Sequence, residues 1–252
     1  AKLMRFQEFS GGLNIERAVA SNVVESMIIQ GRGQSRDPRY LGEFTSRKFP
    51  GLAMLNTKYV NFFLGPHPET KELVYIDIPF KGALGPAWFV NDIEWVDSPE
   101  EELNRVQRAV DENGLAEPSF DPATTAVVHR EFESTLKDVS NPGRTTVKLD
   151  QYHPEGSTYS VNSDNGGLLV LSEMYYPSGW TAKIDGEETP LVRANYLLMA
   201  LQVPPGEHTV QLHFEPEGWE TARGLSIAGS VLWVLLLGAC IWQDRRTRLA
   251  SN

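Results

Sequence analysis

Cysteine is nearly absent: one residue of the 252 is a thiol, Cys240. A lone cysteine excludes an intrachain disulfide and a zinc site built on thiolates. Basic charge is also short, with 23 Lys plus Arg against 33 Asp plus Glu. The deficit is uneven, because residues 1–223 hold 20 basic and 32 acidic side chains (net -12) while residues 224–252 hold 3 and 1 (net +2). Nonspecific binding to nucleic acid draws on clustered Lys and Arg that release counterions, so that partner class is set aside. Missing as well are G-x-S-x-G, H-E-x-x-H and G-x-x-x-x-G-K-[ST], the patterns of a hydrolase nucleophile, a zincin and a nucleotide loop. The histidines are His67, His129, His153, His208 and His213. The last two are five apart on an expected strand and point to opposite faces, so they cannot chelate one metal through it, and no metal or cofactor is assigned to this chain.

Charge is wholly lacking from Gly224 to Trp242 (GLSIAGSVLWVLLLGACIW). Nineteen residues at about 1.5 Å each reach roughly 28 Å, close to the roughly 30 Å hydrocarbon core of a bilayer. The alternative for such a run is a buried core helix; apolar residues surround it without an amphipathic face, and its flanks decide for the membrane. Trp219 with Arg223 stands on one side, and Trp242 followed by Arg245, Arg246 and Arg248 on the other, an aromatic belt and then a basic cluster. Trp219, Trp242, Arg245 and Arg246 are therefore read as membrane-anchor residues and the lipid bilayer as a partner. By the positive-inside tendency the C-terminus is expected in the cytoplasm and residues 1–223 outside the membrane. A domain exported ahead of a C-terminal helix needs an upstream signal or upstream membrane helices, so the chain is expected to be part of a longer protein.

Along the outer part, residues 1–9 and 13–30 have helical character, and a polar loop at 31–38 ends this helical region. Gly51 to Leu55 closes a further short helix. Thr57 to Phe63, Leu73 to Ile78 and Ala87 to Trp95 are strand candidates. Ser98-Pro99-Glu100-Glu101 marks a helix start, with Ser98 as N-cap, Pro99 in the first turn and Glu101 as the capping-box acid. Its inward stripe is expected at Leu103, Val106, Ala109 and Val110, with Asn113-Gly114 as the stop. From about Ala126 short strands alternate with turns. Val147 and Leu149 share one face; Leu168 to Tyr176 is apolar on both faces at first, as in a central strand; Trp180, Ala182 and Ile184 alternate up to an Asp185-Gly186 hairpin turn. Tyr196 to Val203 and then Val210, Leu212 and Phe214 complete the series. The expected fold is an α+β extracytoplasmic region (1–125) ending in an antiparallel β-sandwich (126–217), jelly-roll or Ig-like. A juxtamembrane segment with one transmembrane helix (218–243) and a basic cytoplasmic tail (244–252) complete the chain.

Several stretches in order carry a resemblance: AKLMRFQE at Ala1–Glu8, MLNTKYV at Met54–Val60, GPAWFVNDIEWVDSPEEEL at Gly85–Leu103, FDPATTAVV at Phe120–Val128, and above all the run from Leu168 to Pro216. They resemble the C-terminal region of the YfhO family of bacterial multi-pass membrane proteins. The family resembles GT-C-type glycosyltransferases, which take a sugar from a polyprenyl-phosphate donor at the outer side of the cytoplasmic membrane. The resemblance implies a role in cell-envelope glycan modification. It places the catalytic acid in an early outer loop that this chain does not contain, so no catalytic residue is assigned here, and any metal of that part is unknown. The upstream membrane core of the same protein, a lipid-linked sugar and envelope glycan are the implied partners. Pro86 stands where the family usually has a polar residue.

Two constellations carry possible chemistry. Asp92, Glu94 and Asp97 could supply a carboxylate pair across a glycosidic bond, or form a solvated edge before a capped helix. Tyr175, Tyr176 and Trp180 flank Pro177-Ser178-Gly179, where rings could stack on a sugar or plug the sandwich end. At the start of the chain Lys2 and Arg5, one helical turn apart, could meet a lipid-linked phosphate. The substrate-binding candidates are thus Lys2, Arg5, Tyr176 and Trp180. The competing reading is a noncatalytic, membrane-anchored sandwich that binds envelope polysaccharide or partner proteins.

Overall fold

The computed structural model describes residues 49–250, apart from 67–68, 107–109, 112–113, 116–119, 137–138, 140 and 217. The helices expected over 1–9 and 13–30, the loop at 31–38, and Lys2 and Arg5 lie outside the described residues. A short helix, α1 (Pro50–Met54), opens the described part, and the hairpin of β1 (Tyr59–Pro66) and β2 (Leu73–Pro79) comes after it. Next come β3 (Ala87–Val90), β4 (Asp92–Val96), α2 (Pro99–Val106), the small ladder of β5 (Val110–Asp111) with β6 (Gly114–Leu115), and β7 (Thr125–His129). The strands β8 (Thr145–His153), β9 (Gly156–Ser163), β10 (Gly167–Met174), β11 (Trp180–Ile184), β12 (Glu187–Thr189), β13 (Val192–Ala194), β14 (Leu198–Val203) and β15 (Gly206–Phe214) complete the β part. The chain then enters α3 (Trp219–Ala250).

Two sheets face each other, a six-stranded one ordered β3-β10-β14-β13-β7-β4 and a five-stranded one ordered β12-β11-β15-β9-β8. Pairing is antiparallel except between β4 and β7. That parallel pair needs a crossover, which α2 and the β5–β6 ladder supply. The span from Ala87 to Trp95, expected as one strand, is divided at Asn91 into strands on opposite edges of the larger sheet. Strands lie about 4.8 Å apart, so a flat six-stranded sheet would hold its edges roughly 24 Å apart, far beyond what one residue spans. The sheet therefore curls until its first and last strands meet at Asn91, whose N–H, like that of Asp92, donates to the Thr124 carbonyl. Because β3 and β4 join strands from beyond residue 126, this sheet crosses the expected 125/126 boundary.

Apolar clusters lie on both faces of the curled sheet. Trp88, Val90, Val128, Leu168, Val170, Leu198 and Ala200 pack with Met54, Val106 and Phe120 on one side. On the other, Phe89, Leu169, Leu171, Met199 and Leu201 meet Tyr159, Val161, Ala182, Val210 and Leu212 of the smaller sheet. Strands β10 and β14 are apolar on both faces because both are covered, as the sequence of β10 implies. The Asp185-Gly186 turn has positive φ at both residues (53° and 90°), the geometry a tight hairpin between β11 and β12 requires.

The start of α2 is capped as the sequence implies: the Ser98 hydroxyl accepts from the Glu101 N–H at 3.1 Å, and the Glu101 carboxylate accepts from the Asp97 N–H at 3.0 Å. The end differs from expectation. Helix α2 is described through Val106, with Leu103 and Val106 packed inward beside the buried Glu102; Val110 lies in β5 rather than in the helix, and Ala109 lies outside the described residues. Helix α3 runs without a break through Arg245 and Arg246 to Ala250, so the expected basic tail begins within the helix.

Candidate functional site

The strand that ends the sandwich is also the one that leads to the apolar helix, and the aromatic candidates gather there. The turn Tyr176–Trp180 closes through a hydrogen bond from the Trp180 N–H to the Tyr176 carbonyl at 3.2 Å, and the Glu215 N–H donates to the Gly179 carbonyl at 2.8 Å. Trp180 packs on Phe214 with ring centroids 5.0 Å apart, and Tyr176 packs on the same ring at 5.9 Å. Gly179 leaves room for that ring, since a Cβ there would sit 2.6 Å from it. Trp180 and Tyr176 remain half-buried. Tyr175 turns away from this group and meets Phe132 edge to face at 6.0 Å. The structure thus joins Tyr176 with Trp180 and separates Tyr175 from both.

Trp219, 56% exposed, begins α3 just beyond this corner, and Trp242, 60% exposed, stands at the far end of the apolar span. The span Thr221–Trp242 has a mean hydropathy of 2.2 and none of it is buried. Its 22 residues reach roughly 33 Å, enough to cross a hydrocarbon core. Cys240, the lone thiol, is exposed on it.

The acidic group before α2 is engaged in ion pairs. Glu94 holds Arg105 through two hydrogen bonds, one of 2.7 Å from the guanidinium Nη2, and this contact raises the Arg105 pKa. Asp97 accepts from Arg130 Nε at 2.9 Å. Asp92 is exposed. Glu94 thus ties β4 to α2 and Asp97 meets the helical turn Arg130–Phe132, which fits a structural reading of these two acids rather than an acid/base role. Among the described residues no group of three or more His, Cys, Asp or Glu side chains is placed to hold a metal ion. His213 lies 3.7 Å from Glu215, whereas His208 Nδ1 meets the Asp185 carboxylate at 2.6 Å and its Nε2 faces the Pro205 carbonyl at 3.2 Å. The contact with Asp185 raises the His208 pKa and lowers that of Asp185. Two acceptors on the two ring nitrogens favour the doubly protonated ring.

Sequence reasoning missed two acids. Glu102, fully buried, accepts from Arg193 Nη2 at 3.0 Å and from the Tyr196 N–H at 2.8 Å. Arg193 lies over the Phe132 ring, 5.9 Å from its centroid, and reaches Glu131 at 3.5 Å. Beside them Asn195 acts as a rung between β13 and β7: its N–H donates to the Val127 carbonyl and its Oδ1 accepts from the Val127 N–H. The second missed acid is Glu173 in β10, whose pKa is raised by burial. Tyr159 is also pushed up, first by burial and further by Glu173.

These features define a class before they define a family: a mostly antiparallel β-sandwich whose last strand passes into an exposed apolar helix of membrane-spanning length, a membrane-associated protein. Residues 123–226 match the family model described as bacterial membrane protein YfhO, which supports the chain as the C-terminal region of a YfhO family protein. The match covers less than half of the chain; it includes the stretch Leu168–Pro216 and the first residues of the apolar helix, while the resembling segments at 1–8, 54–60 and 85–103 fall outside it. No curated protein and no solved structure matches the chain.

Proposed function

We propose that this chain is the extracytoplasmic C-terminal domain and last membrane helix of a GT-C-type glycosyltransferase that uses a polyprenyl-phosphate-linked sugar to modify cell-envelope glycan. The observation that supports this reading is the short interval between β15 and a helix with an unburied apolar span of membrane-crossing length, an arrangement that would hold the sandwich near a bilayer surface. The transferase activity rests on the resemblance to the YfhO family, and the chemistry is assigned to residues outside this chain. The sandwich then covers the outer face of the membrane core and shapes the cleft for acceptor or donor. Lys2 and Arg5 are proposed to meet the lipid-linked phosphate, and Tyr176 and Trp180 to flank the sugar path at the membrane-proximal corner.

The test is sugar transfer in proteoliposomes. The protein that contains this chain, supplied with a radiolabelled polyprenyl-phosphate sugar and envelope glycan, is expected to label the glycan, and residues 1–252 alone are expected to give no label. Turnover by residues 1–252 alone would show that the chemistry lies within this chain, and an inactive parent protein overturns the transferase reading. The half-exposed rings of Tyr176 and Trp180 favour a second reading, a noncatalytic module anchored in the membrane that binds envelope polysaccharide or partner proteins. That reading predicts a saturable change in tryptophan fluorescence on adding glycan, lost in Trp180→Ala, with no transfer by any form of the protein.

A further inference from the structure

Two turns meet on one imidazole where β15 begins. The Asp185-Gly186 turn joins β11 to β12, and the Pro204–Pro205 turn joins β14 to β15. Asp185 is tied to β15 by backbone and side chain alike: its N–H donates to the Thr209 carbonyl at 2.9 Å, and its Oδ1 accepts from the Thr209 N–H at 2.8 Å. Its other oxygen, Oδ2, meets His208 Nδ1 at 2.6 Å. The ring folds back over Gly206, so that Nε2 faces the Pro205 carbonyl at 3.2 Å. Most of the His208 side chain is covered, with 17% exposed. Asp185 is the charged group that shifts its titration. On β9, Val161 lies opposite His208 with Ser160 and Asn162 on either side, and none of the three titrates. Lys183 on β11, Glu187 and Glu188 on β12, and Glu207 on the same strand are exposed.

Both partners of the ring are acceptors, so holding both takes two protons, and a neutral imidazole has one. Asp185 is the stronger claimant on that one, because it is a carboxylate already fixed by Thr209. Loss of the second proton therefore leaves Nε2 with a lone pair turned toward the Pro205 carbonyl, and the contact changes from attraction to repulsion. The hydrogen bond to Asp185 holds the ring pKa above its ordinary value, which extends the doubly protonated form toward neutral pH. The folded chain thus binds this proton more tightly than the unfolded one. The stability it supplies is complete below the unfolded pKa of about 6.5 and is lost as pH rises through the raised folded value.

We infer that His208 is a pH-sensitive latch: with two protons it holds the Pro204–Pro205 turn against the Asp185-Gly186 turn, and with one it releases the Pro204–Pro205 turn. What the latch moves is one wall of a cleft of about 480 Å³, which Pro204 and Pro205 line together with Thr189 and Pro190 at the end of β12. Acidic medium fixes that wall and alkaline medium frees it. The inference stands apart from the transferase reading, since it involves no substrate.

The experiment is an NMR titration of the 252-residue chain in nanodiscs, from about pH 5 to about pH 9. Multiple-bond proton–nitrogen spectra report the His208 ring, and the Gly206 amide, on the peptide that carries the Pro205 carbonyl, reports the turn. The ring is expected to titrate above about 6.5, and the Gly206 amide to move with the same midpoint. Asp185→Asn, at a positive φ that Asn tolerates, is expected to lower both midpoints together by about one unit. His208→Phe removes both ring protons and is expected to flatten the Gly206 titration, with melting curves to report the fold. Should that variant unfold, the common midpoint of the native chain and its shift in Asp185→Asn decide alone. A ring midpoint at or below about 6.5 overturns the inference. So does a Gly206 amide that stays still, that keeps titrating in folded His208→Phe, or whose midpoint parts from that of the ring.

Discussion

At the scale of single residues, the buried acids explain most of what the sequence concealed. Glu102 comes after two other glutamates at the start of a helix, a pattern that ordinarily marks a solvated first turn favoured by the helix dipole. Its position four residues before Val106 puts it on the inward face, which helical spacing alone would have indicated. Its partner Arg193 stands 91 residues away between Val192 and Ala194, and nothing local marks it. Asn91 is a different case: Asn-Asp in the middle of a strand candidate is a breaker signal by composition, and the strand does break there. Glu173 offers a direct test. Burial holds its carboxyl above the ordinary range, so the folded protein binds that proton more tightly than the unfolded chain does. The stability this supplies is complete below the unfolded pKa of about 4.3 and is lost as pH rises through the raised folded value. Glu173→Gln keeps the shape and removes the charge. The variant is expected to melt above the native protein at pH 7 and to lose that advantage near pH 3.5, in thermal scans of the full chain in detergent. A lower melting temperature at pH 7 would contradict it.

Secondary-structure elements were legible where one physical pattern dominates. Alternation fixed the faces of β11 and β15, a double-sided apolar run marked β10 as central, and Asp185-Gly186 placed a hairpin turn. The cap of α2 was legible for the same reason, since its hydrogen bonds are local. What could not be read was which strands pair, because the curl that brings β3 and β4 to one place depends on long-range register. Helix α2 depends on such a long-range contact too, through the Glu102 carboxylate shared by Arg193 and the Tyr196 N–H. Removing the Glu102 carboxylate leaves the buried Arg193 guanidinium with the longer, partly exposed contact to Glu131 at 3.5 Å, so the cost falls toward the lower end of the about 3–5 kcal/mol of a broken buried pair. Glu102→Ala is expected to lose that much stability in urea titrations of the full chain, and Glu102→Met combined with Arg193→Met to recover most of it. A single-variant loss under about 1 kcal/mol would mean that α2 is held by its apolar contacts alone.

For the whole molecule, the division between an acidic outer part and an apolar span with a basic end predicts which side of the membrane each occupies. Nothing in the fold itself fixes that side, since a sandwich joined to a helix can stand on either face. The proposed direction rests on Arg245, Arg246 and Arg248, which lie just past the apolar span, where short basic flanks stay in the cytoplasm. The lone thiol makes the test clean. Cys240→Ala removes the native thiol from the helix, and Ser160→Cys then places a new one on an exposed residue of β9 in the smaller sheet. Asn252→Cys puts one at the far end of the chain instead. In intact cells a membrane-impermeant maleimide is expected to label Ser160→Cys fully and Asn252→Cys only after the cytoplasmic membrane is opened. The opposite pattern would turn the molecule over, put the sandwich on the cytoplasmic side, and remove an outer-surface glycan from its reach.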